Sequence, residues 1–331
     1  KQVSVLVPTT ILAEQHFATF KDRLERFPVR IASLSRFRTK GEQKDILSKL
    51  KSGAIDILIG THRLLSKDVI FQDLGLVIID EEHRFGVKHK EKLKQMTENI
   101  DVLSMTATPI PRTLQLSLSG ARDLSKIETP PKERLPIYTE IASLEDEFIR
   151  EVIMREINRG GQVYFVNNRI QNIRVLEKRL KTILPDLRFV VAHGQMNSEQ
   201  LEQVMVDFLH RKYDVLISTA IIESGIDIPN VNTIIINRAD QMGLAQLYQL
   251  RGRVGRANRR AYAYLLVPST HTMTDEARSR LQTLESFTHL GAGFQIAMKD
   301  LAMRGAGNML GTKQSGFINS VGFDLYMEMV A

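Results

Sequence analysis

Four ionisable side chains in succession, Asp80, Glu81, Glu82 and His83, have the types and spacing best suited to chemistry in this sequence. They follow the apolar run at residues 76–79, which has no polar alternation and is typical of a strand buried on both faces of a parallel sheet. Carboxylates at the carboxyl end of such a strand lie where α/β sheets bind ligands. Adjacent acids there suit a nucleotide site, in which Asp80 would hold Mg²⁺ and Glu81 would orient or deprotonate a water. The simpler alternative is a buried strand that ends in a polar turn.

Polar clusters also follow other apolar, strand-like runs, so the same design recurs along the chain. In chain order the clusters are Pro8, Thr9 and Thr10; Arg36 and Arg38; Gly60, Thr61, His62 and Arg63; Thr106; Asn167, Asn168 and Arg169; His193, Gly194 and Gln195; and Thr219. Hydroxyl and amide donors ahead of a helix can bind a phosphate, as at Thr9 and Thr10. The simpler alternative, which is favoured locally, is that one of these threonines is only the helix N-cap.

A basic segment in the second half of the chain has the spacing of a phosphate-contacting group. Arg253 and Arg256 are close in sequence, and Gly252 and Gly255 beside them allow close approach of a ligand. Two guanidinium groups could then reach a polyphosphate held by an opposite domain, which is the role of an arginine finger. The simpler alternative is a basic, solvated helix end or a nonspecific phosphate patch.

The composition restricts the class of protein. The chain has 331 residues, 43% of them apolar, with a net charge of +7 and an isoelectric point near 9.5, so it is globular and mildly favours an anionic partner such as nucleic acid. The absence of cysteine excludes disulfides and thiolate zinc sites and fits a reducing, cytoplasmic environment. No apolar run approaches the length of a membrane span. Because the sequence opens without methionine, we expect a fragment of a longer protein.

Strand-like runs alternate with amphipathic stretches, which predicts an α/β protein with parallel sheets. Buried strands are predicted at residues 3–7, 29–34, 55–59, 76–79, 101–105, 163–166, 189–192 and 215–218. Pro130 and Pro131 lie in a charged stretch and predict a linker. We therefore expect one domain at residues 1–127, a second at residues 128–272, and a C-terminal module at residues 273–331.

Two helix starts can be predicted from side chains that would cap them. Thr39 and Glu42 have the spacing of a capping box. Ser143 and Asp146 have the same spacing ahead of an apolar helical face, and the glycine pair that begins at Gly160 predicts the end of that helix.

Four motifs, in a fixed order, resemble those of a known enzyme superfamily. They are Asp80-Glu81-Glu82-His83, Thr106-Ala107-Thr108, Gly225-Ile226-Asp227 and Gln249-x-x-Gly252-Arg253-x-Gly255-Arg256. Each motif is weak alone, but the ordered set resembles the motor core of superfamily 2 helicases and translocases. The resemblance implies two RecA-like domains that close on ATP at their interface while both hold a nucleic-acid strand.

The resemblance also implies site residues. For ATP and Mg²⁺ they are Asp80 (metal ligand), Glu81 (activation of water), Glu82, Gly225 and Asp227 (near the nucleotide), Arg253 and Arg256 (γ-phosphate), His83 and Gln249 (coupling to the interdomain contact), and Thr106 and Thr108 (coupling of hydrolysis to domain movement). The other strand-end clusters, from Pro8 to Thr219, would hold the phosphate backbone of DNA. Such contacts do not read sequence, so DNA binding would depend strongly on salt and little on base sequence.

The last part of the chain restricts the resemblance to two families within this superfamily. Residues 304–316 look like the translocation module shared by RecG branch-migration helicases and bacterial transcription-repair coupling factors, in which a helical hairpin and a loop convert domain closure into movement along duplex DNA. Arg304 and Gln314 would carry that movement. Residues 35–38 and 321–329 look more like the coupling factors. The implied function is an ATP-driven double-stranded DNA translocase that displaces stalled RNA polymerase and recruits nucleotide excision repair, with those partners bound by regions absent from this chain.

The sequence departs from the superfamily pattern in one respect. A complete motor has a G-x-x-x-x-G-K-[ST] loop ahead of its first strand, whose amides and lysine hold the phosphates, and this sequence contains none. We therefore expect the chain alone to bind ATP poorly and to hydrolyse it negligibly. The alternative functions are a RecG-like branch-migration helicase and a non-catalytic DNA-binding module, and the missing loop supports the second of these.

Overall fold

The computed structural model describes residues 1–96, 99–106, 123, 125, 127, 129, 135–220, 227–256, 259–268, 273–287, 293, 295–296 and 299–300. The chain divides into two compact units, of which the first contains the described residues up to 106 and the second those from 123 onward. Each unit is an α/β domain in which all described strands pair in parallel, which confirms the predicted fold class. Most of the predicted C-terminal module lies outside the described residues.

The sheet of the first unit has five described strands in the order β2-β3-β1-β4-β5. They are Gln2–Leu6 (β1), Ile31–Leu34 (β2), Ile57–Gly60 (β3), Leu74–Asp80 (β4) and Asp101–Met105 (β5). The described helices are Thr10–Arg23 (α1), Lys40–Lys51 (α2) and Val87–Met96 (α3), with 3₁₀ helices at His62–Leu65 and Glu82–Arg84. Because all strand pairs are parallel, the carboxyl ends of the strands lie at one edge of the sheet.

The helices of the first unit begin where their side chains cap them. The Thr9 hydroxyl accepts a hydrogen bond from the Leu12 amide at 3.3 Å and is the N-cap of α1. Thr39 and Glu42 form the predicted capping box at the start of α2. Gly53, just beyond the end of α2, has a φ of +72°, a conformation that favours glycine.

Two strands of the first unit are less buried than their apolar sequences predict. In β4, Val77 and Ile79 are buried, but Leu76 and Ile78 are only partly buried, so one face alone is fully covered. Every residue of β5 is exposed, and Leu103 is 49% exposed. The prediction of a buried β5 is therefore wrong. β5 is the edge strand of the described sheet, and burial at an edge depends on neighbours that a strand's own sequence does not reveal.

The sheet of the second unit has six described strands in the order β6-β11-β10-β7-β9-β8. They are Tyr138–Ser143 (β6), Gln162–Asn167 (β7), Phe189–Ala192 (β8), Val215–Ser218 (β9), Val231–Asn237 (β10) and Tyr262–Val267 (β11). The described helices are Asp146–Asn158 (α4), Ile173–Ile183 (α5), Ser198–Leu209 (α6), Leu244–Arg251 (α7) and Asp275–Ser286 (α8), with 3₁₀ helices at Ile170–Asn172 and Ala239–Gln241. The main core lies between this sheet and helices α4 and α5.

The start of α4 differs from the prediction. Ser143 is the last residue of β6, where it pairs with Val267, and Glu145 is the N-cap without a side-chain hydrogen bond. Strand pairing therefore prevails over the capping box that the sequence suggested. Asp146 still lies in the first turn, where a negative charge is favourable. Gly160 follows the helix as predicted, with a φ of +78°.

The two units repeat the same side-chain connections at the first residue of a central strand. Gln2 opens β1 and is buried, and its amide nitrogen donates to two backbone carbonyls at 3.0 and 2.7 Å. Gln162 opens β7 and donates to two backbone carbonyls in the same way, at 2.8 and 2.7 Å. In both units the carboxamide joins the end of a helix to the segment that leads into the next strand.

An arginine–aspartate clasp is also repeated. Arg30 and Asp56 are 26 residues apart, and the amide and the guanidinium of Arg30 both donate to the carboxylate, at 2.8 and 3.0 Å. Arg188 and Asp214 have the same separation and the same two hydrogen bonds, at 2.8 and 3.0 Å. Each clasp joins the segments that lead into two neighbouring strands.

The strand register is repeated as well. β1 pairs with β3, and β7 with β9, so that Leu6 and Val166 hold the same position. β4 and β10 each shift register at their first pair and then continue into a residue in the left-handed region, Glu81 with φ +50° and Arg238 with φ +54°. Positions in one unit can therefore be matched with positions in the other.

Candidate functional site

Asp80 and Glu81 lie at the carboxyl end of β4, as predicted, but their backbone conformations differ. Asp80 is the last residue of the strand and pairs with Met105. Glu81 leaves the strand with φ +50° and ψ +53°, a strained conformation for a non-glycine residue. This turn directs Glu81 towards β5, where its amide donates to the Met105 carbonyl at 2.9 Å.

The Glu81 carboxylate is held by a side chain of the neighbouring strand end. Glu81 is 7% exposed, and its Oε2 accepts a hydrogen bond from Thr106 Oγ1 at 2.8 Å. A carboxylate fixed in this way at a ligand-binding edge can orient or deprotonate a water. The structure thus brings together two residues that the sequence placed 25 positions apart.

Asp80 has a partner that the sequence did not reveal. His16 Nε2, on α1, lies 3.2 Å from Asp80 Oδ2, and both side chains are partly exposed. Among the described residues, no three His, Cys, Asp or Glu side chains are grouped to hold a metal ion. A single carboxylate still suits Mg²⁺, which keeps several waters and is usually bound by one or two carboxylates together with substrate phosphates.

The strand ends of β1 and β2 place predicted phosphate-contacting residues at the same edge. Thr10 is buried, whereas Pro8 is partly exposed. Arg36 is exposed. Arg38 instead lies over the Phe17 ring at 5.5 Å and donates to Ser33 at 3.3 Å, so its guanidinium has intramolecular partners.

The end of β3 carries Gly60, Thr61, His62 and Arg63 into a 3₁₀ helix. A side chain at Gly60 would come within 2.7 Å of a backbone carbonyl, so the position is too close-packed for a larger residue. Burial lowers the pKa of His62, and the charges of His89 and Arg36 lower it further, so this imidazole is neutral at physiological pH. Both terminal nitrogens of Arg63 donate to Asp68, at 2.7 and 2.5 Å.

In the second unit, the predicted backbone-contacting residues again follow strands. Asn167, at the end of β7, accepts from Asn237 Nδ2 at 2.9 Å and donates to the Arg169 carbonyl at 2.7 Å. Asn168 is partly buried and Arg169 is exposed. After β8, His193 is partly buried and Gly194 and Gln195 are exposed; Thr219, after β9, is 9% exposed.

Asp227, Arg253 and Arg256 come together on the loops that lead into β10 and β11. Arg256 Nη1 lies 3.9 Å from Asp227 Oδ1, and Arg253 is 4% exposed. The charges of all three residues act on the pKa of Tyr164. Burial raises the pKa of this phenol far above its usual value, while Arg256 and Arg253 oppose the rise. The cluster that the resemblance implied is therefore present, and it lies before strands rather than after them.

Arg251 belongs to the same basic segment but has a structural role that the sequence did not predict. It is 4% exposed, it donates to the Leu284 carbonyl at 2.7 Å, and so it joins α7 to α8. Burial lowers the pKa of Arg251 to about 10. Gln249 lies partly buried on α7, two residues earlier.

Several predicted site residues cannot be placed. Thr108, Gly225, Arg304 and Gln314 lie outside the described residues, as does the side chain of His83. Glu82 begins the 3₁₀ helix after β4.

No helix within the described ranges combines the length and the apolar character needed to cross a membrane.

Two family models match the chain in tandem. Residues 1–117 match the DEAD/DEAH box helicase model, and residues 144–258 match the helicase conserved C-terminal domain model. The two matches fall on the two α/β units, so both units are helicase-type RecA-like domains.

Curated relatives match the whole chain. The transcription-repair-coupling factor of Bacillus subtilis is 57% identical over 330 residues, which are 100% of this chain and 28% of the relative. That of Haemophilus influenzae is also 57% identical and is covered to 29%. Among solved structures, RecG bound to a three-way DNA junction has a TM-score of 0.79 and 36% identity, over 99% of this chain and 43% of that one. Saccharomyces cerevisiae Dbp5, at 15% identity and a TM-score of 0.63, covers 91% of this chain, is itself covered to 81%, and shares the fold.

Proposed function

Because the chain belongs to the helicase family of the transcription-repair-coupling factors, we propose that it is the ATP-driven segment that moves such a factor along double-stranded DNA. ATP and Mg²⁺ would be its cofactors. The chain spans 28–29% of the length of the curated relatives. Displacement of stalled RNA polymerase and recruitment of nucleotide excision repair would accordingly be activities of the parent protein, through partner-binding regions outside this chain.

The observation that carries the proposal is the hydrogen bond of 2.8 Å between Thr106 and Glu81, beside Asp80. It fixes a carboxylate next to a candidate Mg²⁺ ligand at the ligand-binding edge of a parallel sheet. In nucleotide hydrolysis the protein mainly positions the water and stabilises the charge on the phosphoryl group. Glu81 would position the water, and Arg253 and Arg256 of the second unit would stabilise the charge on the phosphoryl group.

A further strand beside β5 would complete the first unit. In the second unit β11 has a neighbour on each side, and Leu265 is fully buried. β5 holds the matching place in the first unit, but within the described sheet it has only β4 as a neighbour, and Leu103 is 49% exposed. We place the strand that precedes the expected phosphate-binding loop on this edge. Its loop would then emerge beside Asp80 and Glu81.

DNA would be held through its backbone by both units. The strand-end clusters supply hydroxyl, amide and guanidinium donors, and the chain carries a net charge of +7. Contacts of this kind do not select bases, so affinity would fall steeply as salt rises.

ATP hydrolysis stimulated by DNA tests the proposal. The 331-residue chain and a version extended upstream through the phosphate-binding loop are each compared with their Glu81→Gln variants and with Glu25→Gln, an exposed acid on the same unit. We expect turnover in the extended version alone, and a loss of at least about 100-fold in Glu81→Gln with DNA binding unchanged. Turnover of the 331-residue chain that Glu81→Gln abolishes would contradict the need for the loop. An extended version that folds and binds DNA but hydrolyses nothing would favour a non-catalytic DNA-binding module.

A RecG-like branch-migration helicase is the second candidate, because the RecG structure matches 99% of this chain. The two functions differ in substrate. A branch-migration enzyme unwinds a three-way junction by itself, whereas a coupling factor acts on a stalled polymerase complex. Incubating the extended version and the parent protein with each substrate separates them.

A further inference from the structure

His16 interrupts an otherwise apolar stripe of helix α1. Residues three or four positions apart lie on one face of a helix, and the residues of this face are Ala13, His16, Phe20 and Leu24. Ala13 is buried, and Phe20 and Leu24 pack against the same cluster of buried residues. The histidine therefore places a polar group where packing alone calls for an apolar one.

The second unit builds the same stripe without a polar residue. Leu6 and Val166 hold the same position in β1 and β7. Arg23 ends α1 and Ile183 ends α5, equally far along the chain from those two residues, so the two helices can be aligned. In this alignment the stripe of α5 consists of buried apolar residues, which are Ile173, Leu176, Leu180 and Leu184. The second of these holds the position of His16, so a unit of this fold does not need an imidazole there.

The residue that His16 contacts also differs between the units. Strand pairing with β1 and with β7 sets Asp80 of β4 and Asn237 of β10 at matching positions, each at the end of its strand. Asn237 donates to Asn167 at 2.9 Å, a residue of the neighbouring strand, rather than to the helix. Of the two units, the one with the candidate Mg²⁺ ligand has both the histidine and the aspartate.

The structure shows how α1 holds this aspartate. Side chains of β4 alternate between the faces of the sheet, so Asp80 lies on the face of Ile78, which packs against the cluster that contains residues of α1. His16 Nε2 lies 3.2 Å from Asp80 Oδ2, and because a carboxylate oxygen accepts, Nε2 donates. The Phe20 ring lies beside the imidazole, with ring centroids 6.3 Å apart. The contact uses Oδ2 alone and leaves Oδ1 for a metal ion.

We infer that His16 is a positioning residue for Mg²⁺, which holds the Asp80 carboxylate while its second oxygen binds the ion. Hydrogen bonds to a ligating carboxylate orient it, and their loss weakens metal binding by about 10- to 100-fold. An imidazole can donate such a bond without carrying the positive charge of a lysine or an arginine, which would repel a cation. The inference rests on the proposed function for the identity of the ion. Each acid then has its own donor, Thr106 for Glu81 and His16 for Asp80.

Binding of Mn²⁺, measured by electron paramagnetic resonance, tests the inference without turnover. Mn²⁺ takes the oxygen ligands that Mg²⁺ takes. The parent protein is titrated in the presence of ADP, as wild type and as His16→Leu, His16→Gln and Asp80→Asn. We expect the dissociation constant of the site that Asp80→Asn removes to rise about tenfold in His16→Leu. It should stay close to wild type in His16→Gln, because the amide nitrogen of glutamine can also donate.

His210→Leu is the matched control, since His210 is an exposed histidine of the second unit. It removes an imidazole that could bind Mn²⁺ by itself, and it should leave the dissociation constant unchanged.

The Mg²⁺ dependence of ATP hydrolysis separates positioning from a general structural effect. We expect His16→Leu to need about tenfold more free Mg²⁺ for half-maximal turnover, with kcat near wild type once Mg²⁺ is saturating. Thermal unfolding in the absence of metal shows whether the variant is folded. A loss of kcat that Mg²⁺ does not restore would overturn the inference, because the role of His16 would then not lie in binding the ion.

The remaining outcomes distinguish failure of the inference from failure of the proposed function. If His16→Gln loses as much Mn²⁺ affinity as His16→Leu, or if His16→Leu binds Mn²⁺ as His210→Leu does, the imidazole does not position the ligand. The inference is then wrong while the proposed function stands. If Asp80→Asn binds Mn²⁺ like wild type, Asp80 is not a ligand and the inference is wrong as well. If the wild-type parent hydrolyses no ATP, the proposed function fails, and the Mn²⁺ titration still decides the role of His16.

Discussion

The hydrogen bond from Thr106 to Glu81 gives the Thr106 hydroxyl a specific role, which is to hold the Glu81 carboxylate in place. Thr106 Oγ1 is 2.8 Å from Glu81 Oε2, and Glu81 occupies a strained backbone position that keeps its side chain at the strand end. In the extended version, we expect Thr106→Val to lower the kcat of ATP hydrolysis about tenfold, because a hydrogen bond to a charged group is worth roughly 1.5–3 kcal/mol. The KM for ATP should change little.

Thr106→Ser is the matched control, since it keeps the hydroxyl. Steady-state kinetics with saturating DNA give kcat and KM, and thermal unfolding shows whether both variants are folded. If Thr106→Ser loses as much activity as Thr106→Val, the hydroxyl is not the group that matters and the assigned role is wrong.

At the scale of single residues, the sequence predicted which side chains could do chemistry, but it did not predict which side chains contact them. The order of Asp80, Glu81 and Thr106 after apolar runs placed them at one sheet edge, because parallel strands share a carboxyl edge. No local pattern marks His16 as a neighbour of Asp80, since the two are 64 residues apart and meet only through helix packing. Arg251 was also missed, since a buried arginine and an exposed one look alike in a basic segment.

The repeated elements of the two units support a prediction about acid stability. Hydrogen bonds from the side chain and amide of Arg30 lower the pKa of Asp56. Burial alone would raise the pKa of Asp214, but the hydrogen bonds from Arg188 outweigh it and lower the pKa. A carboxyl whose pKa is lower in the folded state stabilises the fold above its unfolded pKa, and that stability is lost as pH falls through the folded pKa.

We therefore expect both clasps to contribute at neutral pH, to weaken below about pH 4, the usual pKa of Asp, and to be lost as pH falls through their lower folded pKa. Asp214→Asn should lower the free energy of unfolding at pH 7 by about 1 kcal/mol. Asp56→Asn should cost less, because its side chain is 35% exposed and solvent screens the pair. Urea unfolding at pH 7 and pH 3 measures both effects. A loss in Asp214→Asn that is as large at pH 3 as at pH 7 would contradict the role of the charge.

At the scale of elements, the fold was predictable where short-range signals determine it. The capping box of Thr39 and Glu42 and the strands β5, β8 and β9 follow the sequence to the residue. Ser143 failed as a cap because β6 pairs with β11, a contact with a distant part of the chain. Two similar domains were predicted, but the residue-by-residue correspondence between them was not, since the Arg30–Asp56 clasp has a recognisable spacing only once the strands are paired.

At the scale of the whole molecule, strand β5 presents an exposed apolar edge within the described part of the chain, and we expect this edge to govern association in solution. Val102 and Leu103 of β5 are 45% and 49% exposed, and β5 has a neighbour on one side only within the described sheet. Exposed apolar edge strands pair with other chains unless they are covered or charged. In the proposed function, a strand of the parent protein covers this edge.

We accordingly expect the 331-residue chain to self-associate as its concentration rises, and the version extended upstream to stay monomeric. Leu103→Lys should restore the monomer in the short chain, because a charge on an edge strand opposes pairing. Val175→Lys is the matched control, since Val175 is 69% exposed on helix α5, away from any strand edge. Sedimentation velocity over a range of concentrations measures the association. If the extended version associates as strongly as the short chain, the added segment does not lie on β5. The proposed position of the phosphate-binding loop beside Asp80 and Glu81 is then wrong as well.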